Sequence, residues 1–165
     1  MRLQAINKVC EVENSKLFGD VFLPESWLEN DLFSPDEYFI AQINLQDLNC
    51  EILPKTGYLY FFLEILSPNA DKVRAKVRYF DGEPDAYTDF NEGYFDEDET
   101  VYALEKSDIG NVIFEQVEGD SVTLLSIPTS LLALFNFDCK FLSFVVSKEQ
   151  VVEQKFDNCQ VRFLK

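Results

Sequence analysis

The stretch 58–66, YLYFFLEIL, constrains this chain more than any other, because it is apolar or aromatic at every position except Glu64. A half-exposed strand would alternate, so a run like this suits a strand covered on both faces. The next stretch, 72–80, behaves differently. Val73, Ala75, Val77 and Tyr79 fall on one face, and Lys72, Arg74, Lys76 and Arg78 on the other, the clearest one-sided strand in the chain. Its basic face either holds an anionic ligand or pairs with carboxylates on a neighbouring strand or in the acidic segment that follows.

Around this pair, 2–12, 38–45, 100–104, 111–117, 122–127, 140–146 and 158–164 read as further strands, with 15–24 an ordered loop and 53–57 (LPKTG) a turn. Helix signals are few. Ser34-Pro35-Asp36-Glu37 has the form of a helix start good for about one turn, and 128–135 suits a short helix. Ser147 with Gln150 forms a capping box that predicts a helix over 148–155. Sixteen Phe and seven Tyr favour pleated surfaces, and 165 residues at 47% hydrophobic content suffice for one core. The expected fold is α+β, predominantly antiparallel β, in one domain spanning 1–165.

Thirty acidic residues against 14 basic ones give a formal charge of −16, which repels nucleic acid over most of the surface. Nine of the acids, Asp81, Glu83, Asp85, Asp89, Glu92, Asp96, Glu97, Asp98 and Glu99, lie in 81–99 with no basic residue among them. Gly82, Pro84 and Gly93 break regular structure there, so the segment reads as a solvated loop or a loose hairpin, and as the candidate surface for a basic protein partner. A calcium-loop reading of 89–99 fails on register, with the Gly fifth and the final acid eleventh, which leaves an irregular, weak Ca²⁺ site within 81–99 as the alternative.

The opening MRLQAINKVCEVENS lacks the charge and apolar pattern of a signal peptide, and no apolar run approaches bilayer length, so a cytoplasmic location without membrane contact is expected. Cys10, Cys50, Cys139 and Cys159 show no C-x-x-C spacing, and there is no histidine to complete a zinc shell, so they read as reduced, mostly buried small hydrophobes, with no metal expected. The absence of histidine also excludes Ser-His-Asp and Cys-His nucleophiles. No glycine-rich phosphate loop is present, and no cofactor is indicated.

Gln42 and Asn44 share a face of their strand as amides in an apolar stretch. They either form a hydrogen-bonded core network holding the 53–57 turn, or make the polar floor of a ligand pocket that includes Gly57. An internal echo accompanies them. AQIN (41–44) followed by GYLYFFL (57–63) aligns with LSIP (125–128) followed by KFLSFVV (140–146), which suggests two similar strand–turn–strand halves over 38–66 and 122–147.

Three motifs, SKLFGDVFLP (15–24) with Trp27, FIAQINLQDL (39–48) with LPKTGYLYFFLE (53–64), and KEQVVEQKFDN (148–158), together resemble the YwqG-like family of bacterial proteins of unknown function. The resemblance implies a mixed α+β fold of two similar halves, and no reaction or cofactor. Family members usually carry Gln and Asp where Ser126 and Pro128 stand and Gly where Lys140 stands, and they tend to be longer between Tyr79 and Val122. The resemblance also places the chain among bacterial toxin–immunity systems. Two functions are therefore expected as alternatives. One is a non-catalytic acidic module that binds a basic protein, as an immunity protein binds a toxin. The other is a small-ligand-binding or cryptic enzymatic domain around Gln42 and Asn44.

Overall fold

A computed structural model describes residues 1–66, 73–91, 100–135 and 137–165. In chain order the elements are β1 (Arg2–Ile6), β2 (Lys16–Leu17), β3 (Val21–Leu23), α1 (Glu25–Glu29), β4 (Glu37–Asn44), β5 (Tyr58–Ile65), β6 (Val73–Phe80) and β7 (Ala86–Thr88). They continue with β8 (Tyr102–Lys106), β9 (Val112–Glu118), β10 (Ser121–Pro128), β11 (Phe141–Ser147), α2 (Lys148–Val152) and β12 (Gln160–Leu164). The fold is mostly antiparallel β. Ten strands make one sheet in the order β12-β11-β10-β9-β1-β8-β2-β4-β5-β6, whose outer strands β6 and β12 approach each other to give a nearly closed barrel.

Strand β5 explains why the 58–66 run has no polar alternation. Leu59, Phe61 and Leu63 point into the barrel core with Ile43, Ala75, Val77 and Phe144. Tyr58, Tyr60 and Phe62 point outward, yet they too are buried, in a second cluster with Val21, Leu23 and Phe39. The cover is a two-stranded ribbon of β3 and β7 together with Trp27 of α1, whose ring meets Tyr60 edge-on at 5.4 Å. Burying each large side chain this way is worth about 1.5–3 kcal/mol, which accounts for an aromatic at each outward position from 58 to 62.

Several local expectations need correction. Ser34–Glu37 makes no helix. The Glu37 carboxylate accepts from Ser34 N (2.7 Å), but the chain enters β4 directly because Glu37 is drawn under the sheet by Arg78. The short helix lies earlier, at α1. The 15–24 loop and the described part of 81–99 contribute the β3–β7 ribbon. Residues 129–135 form a 3-10 segment kinked at Leu132. The capping box at Ser147 and Gln150 is present, but α2 stops at Val152 because Gln154 takes φ 55°. Among the cysteines, all free, only Cys50 is fully buried.

Two hairpins of the sheet share a register. In β4–β5, Ala41 pairs with Phe61 and Asn44 with Tyr58, with a bulge between Phe39 and Ala41. In β10–β11, Leu125 pairs with Phe144 and Pro128 with Phe141, with a bulge between Thr123 and Leu125. Leu45 N donates to Gly57 O (3.0 Å), and Thr129 N donates to Lys140 O (2.9 Å). Phe18, just after β2, and Glu115, within β9, lie beside the two bulges, and both have left-handed backbones (φ 61° and 51°).

Candidate functional site

The amides on β4 part company. Gln42 is fully buried and its side chain is wholly engaged by the backbone: Nε2 donates to the carbonyls of Val12 (3.0 Å) and Asn14 (2.9 Å), and Oε1 accepts from Phe22 N (2.8 Å). Tyr60 Oη donates to Phe22 O (2.7 Å), so Phe22 is clamped at both backbone groups. Neither amide holds the 53–57 turn. Its leading edge is tied instead by the Glu115 carboxylate, which accepts from the N–H groups of Glu51, Ile52 and Leu53 at 2.8–3.1 Å.

Asn44 is the amide that faces a cavity. Its Nδ2 donates to Glu13 O (3.1 Å) and Tyr58 Oη (3.3 Å), while Oδ1 accepts from Gln46 N (3.3 Å). Around it lies a cleft of about 590 Å³, walled by Phe22 and Tyr58, by Thr56 and Gly57, and by Glu13, Asp81 and Glu83. Gly57 has φ +94°, and a Cβ there would stand 2.6 Å from Phe80 O, so this wall admits only glycine without rearrangement. Thr56 Oγ1 donates to Asp81 Oδ1 (3.2 Å), and Tyr79 Oη donates to Thr56 O (2.9 Å), joining the turn to the end of β6. Phe22 meets Tyr58 edge-on at 6.0 Å.

The charge at this cleft is one-signed: among the described residues no basic side chain lines it. The Tyr58 hydroxyl registers the field. Burial, then Glu83, Glu13 and Asp47, push its pKa up to about 12. The cleft therefore offers carboxylates, amide oxygens and aromatic faces, a set suited to accept hydrogen bonds from a cation and to stack against it.

Of the nine acids expected to act together, four lie among the described residues. Asp81 and Glu83 line the cleft; Asp85 Oδ1 accepts from Glu25 N (2.8 Å) and so fixes the start of α1; Asp89 is exposed away from the cleft. Glu92, Asp96, Glu97, Asp98 and Glu99 lie outside the described residues. On the basic strand, Arg78 has a structural role. It makes two hydrogen bonds to the buried Glu37 carboxylate (2.7 and 3.2 Å) and lies over the rings of Phe33 and Phe62. Lys72 lies outside the described residues.

Sequence reasoning missed Glu13, Phe22, Thr56 and Tyr58 as cleft residues. Glu13 reaches the cleft because Gln42 and Asn44 strap residues 12–14 across the sheet, a link of 28 to 31 positions that leaves no local pattern. It also missed Lys16, a lysine that β2 buries.

No helix among the described residues is long and apolar enough to cross a membrane. A search of curated proteins finds no match to this sequence. Residues 15–122, which run from the SKLFGD motif through the cleft to the start of β10, match the family described as a domain of unknown function, DUF1963, and the chain belongs to that family.

Proposed function

We propose that this protein is a non-catalytic binding module of the YwqG-like kind, bacterial and cytoplasmic, whose acidic cleft receives a Lys or Arg side chain of a basic protein partner. The observation that carries this reading is the convergence of Glu13, Asp81 and Glu83 from separate segments on the Tyr58–Asn44 wall. Asp85 and Asp89 extend the same charge along the exposed segment beyond the cleft. An immunity protein that neutralises a basic toxin fits this surface, because close charge complementarity speeds capture and excludes unlike partners.

The alternative, a small-ligand pocket, places a free organic cation in the same cleft. Titration with an arginine-rich peptide and with agmatine separates the two. The protein-binding reading expects the peptide to bind well beyond agmatine and its affinity to fall as the Debye length shrinks from about 10 Å at 0.1 M salt to about 3 Å at 1 M. Asp81→Lys with Glu83→Lys, shown by melting to be folded, should abolish peptide binding. Unchanged peptide binding by that variant would remove the cleft from the interface, and equal affinity for agmatine would favour the small ligand.

We further infer that the chain consists of two related halves. Support comes from the shared register and bulge of β4–β5 and β10–β11, and from the sheet order, which reads alike outward from the β1–β8 pair. At that centre Gln4 and Glu105 face each other across the two strands.

A further inference from the structure

Lys16 sits on the outer face of β2, between Gln42 of β4 and Ala103 of β8, with only 1% of its surface exposed. Its ammonium lies 4.8 Å from the centre of the Tyr87 ring and donates to Tyr87 Oη at 3.4 Å. An ammonium has three N–H donors, and among the described residues a single long hydrogen bond uses one of them. Among the described residues no carboxylate forms an ion pair with it. Burial lowers its pKa, opposed at longer range by Cys10, Asp20 and Glu13. The buried ion pair of Arg78 with Glu37 shows what complete compensation looks like, and among the described residues Lys16 lacks it.

The space beside Lys16 is a cleft of about 770 Å³, whose wall includes Asn7, Lys16, Asp20, Tyr87 and Thr100. We propose that this cleft binds a small ligand bearing an oxyanion, a carboxylate or a phosphate ester, with Lys16 as its charged anchor. The oxyanion supplies the acceptors that the two spare N–H groups lack. Tyr87 assists: its hydroxyl accepts from Lys16 and keeps its own proton to donate to the ligand, and burial raises its pKa so that it stays protonated. The Asn7 amide and Thr100 hydroxyl are further donors on the wall. Lys8, also on the wall, is paired with Glu105 at 2.6 Å, which leaves Lys16 as the anchoring cation. Asp20 disfavours a second negative group, which selects for a ligand with one compact anion. This site is separate from the acidic cleft and does not depend on its reading.

The test uses the whole protein with ¹³C-labelled lysine. The Lys16 Cε resonance is followed through an alkaline pH titration in acetate, in inorganic phosphate, and in chloride at matched ionic strength, with Lys16→Arg used for assignment. Binding favours the charged ammonium, so acetate or phosphate should produce a saturable shift and raise the Lys16 titration midpoint, while chloride should not. A response to phosphate alone marks a phosphate ester as the ligand, and a response to acetate marks a carboxylate. By titration calorimetry with the anion that responds, Lys16→Met should lose binding more than tenfold, and Tyr87→Phe, which keeps the ring, should weaken it severalfold. A Lys16 resonance indifferent to both anions overturns the proposal, as does undiminished binding by Lys16→Met. Should Lys16→Met fail to fold, the titration of the parent protein decides alone.

Discussion

The hairpins β4–β5 and β10–β11 have the same register and the same bulge, but their outward faces are dissimilar. Where the first places Gln42 beside Tyr60, gripping Phe22 of the overlying ribbon, the second places Ser126 beside Ser143, two small hydroxyls bonded to each other at 2.8 Å. Where the first has Asn44, Gly57 and Asp81 around an acidic cleft, the second has Pro128, Lys140 and Lys165. The inward face, in both, is a ladder of Leu, Ile and Phe. Register is thus fixed by what the barrel core requires, and the outer face changes with whatever lies over it.

The sharpest test of this comparison lies in the core. Phe61 and Phe144 occupy matching positions and meet edge-on at 5.0 Å, both fully buried. Each change to Ala should cost about 3–5 kcal/mol in chemical denaturation, and the double variant should cost less than the sum because the two share one contact. Unequal single costs would argue against related halves. A thermal melt unmoved by Phe61→Ala would contradict the placement of β5 itself.

A smaller effect is expected on the outer faces. Gln42→Ala leaves Phe22 N and the carbonyls of Val12 and Asn14 without their partner, a loss of about 2–4 kcal/mol. Replacing Ser126 and Ser143 together by Ala removes donor and acceptor at once and should change stability by less than about 1 kcal/mol. Comparable losses at both sites, measured by urea unfolding, would show that polar bonding on the second face matters to the fold no less than on the first.

The smallest contrast is at the turns. Gly57 has φ +94°, whereas Lys140 is not among the residues with positive φ. Gly57→Ala should cost about 1–3 kcal/mol and perturb the acidic cleft, while Lys140→Ala should stay within about 0.5 kcal/mol. Equal midpoints for the two variants would mean that the turn at Gly57 relaxes freely.

How legible all this was in the sequence depends on range. Strands such as β5 and β6 were readable because burial on two faces or on one writes itself into the spacing of apolar residues. The capping box of α2 was readable because both partners lie within four positions. The β3–β7 ribbon was not, since three-residue strands separated by more than sixty positions carry no periodicity. The same limit hid the cleft. Asn44 and Gly57 could be singled out, but their companions Glu13 and Phe22 arrive through side-chain bonds to backbone, which any sequence could satisfy. The Ser34–Glu37 signal misled because its capping contact, Ser34 N to the Glu37 carboxylate, forms without a helix: Glu37 already pairs with Glu64 of β5 and its carboxylate also holds the distant Arg78.

Strand β1 pairs with β8 and β9, and β2 pairs with β8, so the first residues of the chain find their sheet partners about a hundred positions later. During synthesis the β2–β4–β5–β6 portion therefore leaves the ribosome with its β2 edge unpaired, and that edge stays so until β8 has emerged. Such an edge invites pairing with other nascent chains, and the long wait for distant contacts slows completion of the barrel. Expression yield should accordingly respond more to changes in translation speed through 80–106 than to changes of the same size after β9.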